Sequence, residues 1–378
     1  MAVVDSPWTS YSDTVPQKRV ITDVISLIDP SDAPLIEKMG GLDGAASKFR
    51  FSAWPSTKCE WLEDTLAPLT DTLNTATIAS DATSATVADA SKFQAGHIIL
   101  VNSQTFTVSA VNTSTNVLTV ASLGGTTASH ATGTTISIVG MARVEGSTSS
   151  ASPYTSRTTG TNYTQIFHKE IKVTRTQKQL AQWGISNEFD YQASKAVPEL
   201  MRLIERHLFV SDATSAGSAT TPRIMGGLPY FAGLTGANAS SGASLTKAKI
   251  DTVAQMAYED GGSGKWVMPC SPTNFAKIRA FYDSSNYLRI ERGDAVVGMP
   301  APTVVLTPFG EIELLLDRWA TNGNLFMLDL EHIGMKTYAP FTQEPLAKTG
   351  DSDVGQVIGE FTFCLRQLPA HGALTSVT

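Results

Sequence analysis

Cysteine is nearly missing from this chain. Its three cysteines, Cys59, Cys270 and Cys364, are far apart and form no CxxC pair. That usage excludes a disulfide framework and fits buried or free thiols in a reducing compartment. Charge is thin as well, at 17% of residues against the usual quarter or so, and no block of like charge occurs. A sequence-independent grip on nucleic acid needs clustered Lys and Arg. The nearest approach here is Arg50 to Lys58, two charges spread over a strand, in a chain of formal net charge −7. Nucleic acid as a direct ligand is thereby disfavoured. Long apolar runs are absent too, none approaching the roughly 18 residues of a membrane span. The opening MAVVDSPW has neither the basic nor the apolar region of a signal peptide, so a soluble, intracellular protein is expected.

Signatures of catalysis and ligand binding fail one by one. The stretch DGGSGKW, Asp260 to Trp266, comes nearest to a phosphate-cradling loop. A Walker A loop needs G-x-x-x-x-G-K-[ST], the last hydroxyl holding magnesium. Here Trp266 follows Lys265, and Glu259 stands where the first glycine should be. G-x-S-x-G fails as well, since Lys265 occupies its last glycine position and no nucleophile elbow precedes it. The expectation is a helix-to-strand turn whose glycines supply the positive φ that ends a helix. The six histidines, at 97, 130, 168, 207, 332 and 371, include no HExxH and no pair at helical spacing. Asp351-Ser-Asp353 with Asp317 or Asp329 is a calcium candidate, but it lacks the glycine and terminal glutamate of a calcium loop and reads as a solvated turn. Glu331-His332 is a fragment of a metal site at most, and Cys59 and Cys364 read as small core hydrophobes. A Cys/His nucleophilic pair stays open, because such partners meet only in the fold. No cofactor, metal or catalytic residue is expected, and the chain does not read as an enzyme.

What is present is ample apolar material: 378 residues, 42% hydrophobic, enough for about two or three domains. Residues 1–47 read as an arm. A short amphipathic helix over Val20 to Ile28 is stopped by Asp29-Pro30, and a second turn through Leu35 to Met39 ends at Gly40-Gly41. This segment has too little apolar surface to fold alone, so it must lie against something else. Alternation at Phe49, Phe51 and Ala53, then at Cys59 and Trp61, has the period of a strand, and Gln165 to Thr174 matches it. The two read as arms of one long hairpin. Between them, Leu73 to Ala142 carries only Asp81, Asp89 and Lys92 as charges. Short β-branched runs recur there, separated by turns at Asn102-Ser103, Asn112 to Asn116 and Gly124-Gly125. They predict a small inserted β-barrel, a Ser/Thr-rich disordered linker being the alternative. Ser147 to Thr161 reads as a linker.

A long helix follows Gly184. Asn187 caps it, Glu188 and Asp190 sit in its first turn, and Val197, Leu200, Ile204 and Leu208 form one stripe. Glu199, Arg202, Glu205 and Arg206 are assigned to the other face at ion-pairing spacings. Pro198 should kink the helix or start a new one. Beyond Val210 the pattern is mixed: helices over Lys247 to Tyr258 and Ser271 to Phe281, and strands at Lys265 to Met268, Thr303 to Leu306, Ile312 to Leu316 and Leu325 to Leu328. Long β segments at Gly334 to Tyr338 and Val354 to Leu365 come before a tail ending in Leu368 to Leu374. Helices and strands mix without regular βαβ alternation, so the class is α+β.

This order resembles the Hong Kong 97-type fold of tailed-phage major capsid proteins. Asp29-Pro-Ser-Asp-Ala-Pro-Leu35 resembles the arm of one branch, and Glu60-Trp-Leu-Glu-Asp-Thr-Leu66 the outgoing strand of the extended loop. Asn162-Tyr-Thr-Gln-Ile-Phe167 with Ile171-Lys-Val-Thr174 looks like the returning strand. Asn187-Glu-Phe-Asp-Tyr-Gln192 through Glu199-Leu-Met-Arg-Leu-Ile-Glu205 is similar to the spine helix, and Met225-Gly-Gly-Leu228 to the step after it. Gly96-His-Ile-Ile-Leu-Val101 and Leu123-Gly-Gly-Thr-Thr127 look like a barrel that recurs in phage structural proteins. Pro198 is the main departure from the pattern.

The resemblance implies a division into an arm (1–47), an outgoing extended-loop strand (48–72), an inserted small β-barrel (73–142), a linker with the returning strand (143–183), a peripheral domain (184–222 and 334–378) and an axial domain (223–333). It implies a structural protein that associates with itself, as hexamers and pentamers, into the icosahedral shell of a tailed phage. Double-stranded DNA would be cargo, near which an acidic surface does not stick. Scaffolding, portal and decoration proteins would be further partners, with no membrane, and assembly would take place in the host cytoplasm. An arm starting so near Met1 leaves little to cleave, implying a separate scaffold or none. The implied inter-subunit contacts are Trp61, Glu63, Asp64, Lys169, Arg202, Glu205, Arg206, Lys348 and Asp351, with Glu60, Glu63 and Asp64 facing Arg202 or Arg206 of a neighbour. The inserted barrel is expected on the outer surface. A tail-tube or decoration protein is the alternative, disfavoured by the long helix and mixed lobe.

Overall fold

Apolar side chains gather into three cores in the computed structural model, which describes residues 32–42, 56–74, 83–124, 129–146, 155–180, 185, 187–233, 237–242, 244–283, 288–289, 303–348 and 350–377. The chain divides into two units, Met1–Trp61 with Gly160–Thr378, and Leu62–Thr159. The helix expected over Val20 to Ile28 and the strand alternation at Phe49 to Ala53 lie outside the described residues.

Helix α1 (Pro34–Lys38) begins with Pro34, whose fixed φ suits a first turn, and ends at Gly40 and Gly41, with φ of 91° and 86°. Gly41 N–H donates to Ile36 O at 2.8 Å. Leu35, Ile36 and Met39 are buried in the first core, so this part of the arm finds its apolar partner in its own chain. Strand β1 (Lys58–Glu63) follows, with Cys59 and Trp61 inward.

The second unit holds β2 (Thr70–Thr72), β3 (Ser84–Thr86), β4 (His97–Val101), β5 (Gln104–Asn112), β6 (Val117–Ser122) and β7 (Thr135–Met141). They form one sheet in the order β2-β7-β4-β5-β6-β3, antiparallel throughout. Its edges meet: Leu73 bridges Val87, and Asn74 N–H to Thr86 O and Ala88 N–H to Thr72 O are both 2.9 Å. The sheet thus closes around Phe93, Ile99, Val101, Phe106, Leu118 and Ile136. Asn102 makes the β4–β5 turn at φ 52°, a conformation Asn tolerates, and Asn112 accepts from Ser114 and Thr115 N–H in the β5–β6 turn.

Strands β8 (Thr158–Tyr163) and β9 (Gln165–Thr174) correct the hairpin expected from sequence. The partner of β1 is β8, whereas β9 pairs along its whole length with a later strand. Gly160 and Asn162 disguise β8: one leaves room for an aromatic ring and the other is a buried hydrogen-bonding hub, so no apolar alternation marks it as a strand. Helix α2 (Arg175–Gln179) is a short turn capped by Thr174. Helix α3 (Glu188–Val210) runs unbroken through Pro198, with Asn187 accepting from Phe189 N–H at 3.1 Å. It is therefore one helix and not two. Its buried stripe is Ala193, Ala196, Leu200, Ile204, Leu208 and Phe209; Val197, expected in it, is 39% exposed.

The remaining elements are α4 (Leu228–Ala232), β10 (Asn238–Ser241), α5 (Lys247–Glu259), β11 (Lys265–Cys270), α6 (Pro272–Asp283) and β12 (Leu288–Arg289). Then come β13 (Thr303–Thr307), β14 (Gly310–Leu316), β15 (Leu325–Met327), β16 (Ile333–Leu346), β17 (Ser352–Leu365) and β18 (Gly372–Thr375). The sheet β11-β14-β13-β12, parallel only between β11 and β14, and the sheet β10-β18-β15 share the second core, centred on Trp266. The sheet β16-β17-β9 is antiparallel and lays Phe361 and Phe363 in the first core with the α3 stripe.

DGGSGKW is the α5–β11 turn. Gly261 and Gly264 have φ of 96° and 74°, where a side chain strains the backbone. Gly262 N–H donates to Ala257 O, and Gly264 O accepts from Glu311 N–H, each at 2.8 Å. These backbone groups of the loop are spent on its own turn.

Candidate functional site

The structure gathers some of the residues singled out by sequence at two anchors and leaves the others outside them, some on each unit. The first anchor is the base of the β1–β8 hairpin. Trp61, 5% exposed, lies against Gly160, where an added Cβ would come within 2.3 Å of the indole Nε1. Only glycine admits the ring. The indole leads into a chain of aromatic contacts, Trp61 to Phe231 at 6.1 Å and Phe231 to Phe363 at 5.9 Å between centroids. Beside it Asn162, fully buried, donates from Nδ2 to Gly226 O (3.0 Å) and Phe363 O (2.7 Å). Its Oδ1 accepts from Gly226 N–H (2.9 Å), Tyr163 N–H (2.9 Å) and the Thr214 hydroxyl (3.2 Å). One side chain therefore ties β8, β17 and the Gly226 turn together. Gly227 in that turn approaches Leu208 O so closely that a Cβ would sit 2.6 Å away.

The second anchor joins the arm to α3. Helix α1 has no side-chain cap of its own. Its first amides, Leu35 N–H and Ile36 N–H, donate instead to the two Glu205 carboxyl oxygens at 2.7 and 3.1 Å. Glu205 is fully buried, which corrects its assignment to the charged outer face of the helix. Position 205 lies roughly 100° round the helix from Arg206, and that turn carries it into the core. Burial, then the neighbouring Asp317 carboxyl, push the Glu205 pKa up to about 9. Asp317 is buried and likewise raised by burial. Its Oδ1 accepts from Trp319 N–H at 2.8 Å, while Oδ2 has no hydrogen-bond donor in the described structure. A proton on Glu205 resolves both facts, because it neutralises one of two like charges and supplies the missing donor. Further ties hold the arm, among them Arg318 to Asp32 at 3.3 Å, Lys38 to Glu313 at 2.6 Å and Trp319 Nε1–H donating to Asp32 O at 2.8 Å.

The remaining candidates lie outside the anchors. Trp61, like Glu205, is committed to its own subunit's core and is no outward contact. Lys169 is half-buried and paired with Glu199. Lys348 is exposed and, with Lys178, holds Asp353 at a pKa of about 2, while Asp351 meets Arg175 at 2.9 Å. Asp64 is exposed with Arg157 at 3.7 Å; Glu63 and Arg202 are half-buried, and Arg206 is exposed. Large apolar side chains flank these charges: Leu62 (71% exposed), Leu66 (94%) and Leu69 (65%) beside Glu63 and Asp64, and Leu203 and Val210 beside Arg206 on α3. Sequence reasoning missed the roles of Gly160, Asn162 and Asp317. A Gly and an Asn inside a Thr-rich strand were the available signal for the first two, and Asp317 was weighed only as a calcium partner of Asp351-Ser-Asp353. Among the described residues no cluster of His, Cys, Asp and Glu is placed to hold a metal ion.

Comparison with known proteins agrees with this architecture. No curated protein matches the chain by sequence. In structure it is similar to a chain of the cyanophage A-1(L) capsid asymmetric unit, with a TM-score of 0.54 and 10% identity over 98% of this chain and 100% of that one. It is also similar to a capsid chain of the native GTA particle, with a TM-score of 0.51 and 9% identity over 99% of this chain and 100% of that one. These likenesses show the Hong Kong 97-type capsid fold. The model of the SU10 major capsid protein family matches residues 8–378, almost the entire sequence, so this chain belongs to the SU10 major capsid protein family and is a shell-forming structural protein.

Proposed function

We propose that copies of this chain close into hexamers and pentamers of an icosahedral shell through the surface that begins where β1 leaves its own core. The observation that carries this reading is the exposed apolar run Leu62, Leu66 and Leu69, set beside the acids Glu63 and Asp64. Soluble monomers rarely keep such patches uncovered. The outer face of α3 has the complementary composition, with Leu203 and Val210 exposed beside Arg202 and Arg206. The hairpin of one copy docks on α3 of the next, apolar contacts supplying area and the opposite charges setting register.

In this reading residues 1–47 are the arm, 48–72 and 143–183 the extended loop, 73–142 the insertion, 184–222 with 334–378 the peripheral domain, and 223–333 the axial domain. The insertion projects from the shell's outer surface. Assembly takes place in the host cytoplasm, with portal, scaffolding and decoration proteins as partners of the finished particle. Double-stranded DNA is held as cargo by confinement, consistent with a net charge of −7 and no basic cluster. Electron microscopy of the purified chain tests the reading. Closed shells are expected; tubes, or a monomer that never assembles with or without a scaffold, would contradict it.

A further inference from the structure

The fold brings together two cysteines that the sequence keeps apart. Cys59 on β1 and Cys364 on β17 are 305 positions apart in the chain, yet their Sγ atoms are 3.1 Å apart. Both thiols are buried, at 1% exposure each, and both are free. The third cysteine, Cys270, belongs to a different core. The strands around the pair are already fixed to each other. Asn162 Nδ2 donates to Phe363 O at 2.7 Å, and the Thr362 hydroxyl donates to Tyr163 O at 2.9 Å. A disulfide needs its sulfurs at about 2.05 Å, so closing the gap shortens the Sγ–Sγ separation by about 1 Å.

We propose that Cys59 and Cys364 are a modification site, a thiol pair that a hydroperoxide-class oxidant converts into an intrachain disulfide fixing β1 to β17. Either sulfur can be the donor in the contact between them, and the Lys336 and Arg366 cations act on both thiols. Either thiolate can open the reaction; in one order Cys59 is the attacker. Its thiolate attacks one peroxide oxygen and the O–O bond breaks, leaving Cys59 sulfenic acid and a hydroxide that takes up the thiol proton as water. The Cys364 sulfur then attacks the Cys59 sulfur. The S–S bond forms, the S–O bond breaks, and the departing hydroxide leaves as water with the Cys364 proton. Two thiols lose two electrons in total, and one peroxide becomes two waters. The link would hold the hairpin base in place whichever neighbour the rest of the hairpin meets, so it does not depend on the proposed docking.

The test uses the wild-type full-length chain, treated with hydrogen peroxide, unfolded in the presence of an alkylating agent and digested without reductant. The expected product is a monomer whose free-thiol count has fallen from three to one, lighter by two hydrogen atoms, with a linked peptide pair containing Cys59 and Cys364. Cys270→Ser should behave identically, with no thiol left. In Cys364→Ser, reaction should stop at a sulfenic acid on Cys59 that a dimedone-type probe captures. Three thiols remaining, thiol loss without the linked pair, a bridge to Cys270, or a dimer joined between chains would each overturn the proposal.

Discussion

Trp61 and Leu66 belong to one short run of sequence and have opposite fates, the first 5% exposed and the second 94%. On the Trp61 side every element closes on its own chain. The indole fills the space over Gly160, Asn162 satisfies the adjoining backbone, and α1 is capped by Glu205. On the Leu66 side the apolar residues Leu62, Leu66 and Leu69 face outward beside acids. The contrast separates residues that fold a subunit from residues that, in the proposed docking, would join subunits. Residues that look alike in sequence, such as Glu63 and Glu205 or Trp61 and Leu62, fall on different sides of that line.

The comparison can be broken most severely from the folded side. Trp61→Ala removes the indole and leaves a cavity against Phe231, which should cost about 3–5 kcal/mol in chemical unfolding. Asn162→Ala comes next, at about 2–3 kcal/mol, because Gly226 N–H, Gly226 O and Phe363 O lose their partner in the core. Both variants should lose shells only because they lose folded subunits.

The effect of the arm anchor carries a pH signature. Glu205 keeps its proton up to about pH 9 in the folded chain, against 4.5 as its ordinary value. The unfolded chain therefore releases that proton earlier, and the anchor's contribution to stability declines as pH rises across this window, by up to about 1.4 kcal/mol per unit. Asp317, also raised, acts in the same direction. Amide exchange at Leu35 and Ile36 should accelerate as pH approaches 9 by more than the intrinsic chemical rate. Glu205→Gln, which cannot ionise, should flatten that dependence. A wild-type chain with no excess acceleration would contradict a proton shared by Glu205 and Asp317. The smallest effect on folding belongs to the exposed side: Leu66→Ser should leave unfolding within about 0.5 kcal/mol of wild type while lowering the yield of shells.

Much of this architecture is legible in the sequence, because local physics decides it. The Asn187 cap, the stripe Leu200-Ile204-Leu208 and the glycines of the α5–β11 turn all act within a few residues, and each is found in its expected place. What escapes the sequence depends on distant partners. Glu205 looks like one more charge in a charged helix until Asp317 and the arm amides are placed beside it. Strand β8 looks like a linker because its inward positions hold a glycine and an asparagine, and their role depends on Trp61 and the Gly226 turn. Cys59 and Cys364 read as two separate core residues for the same reason.

The central claim is that the acidic, apolar run beyond Trp61 docks on the outer face of α3 in a neighbouring copy. A charge swap tests it most directly, with shell yield measured by sedimentation and electron microscopy. Glu63→Lys with Asp64→Lys, and separately Arg202→Glu with Arg206→Glu, should each give folded subunits that fail to assemble, and combining all four in one chain should restore shells. Wild-type yields from either reversed pair alone would contradict the account.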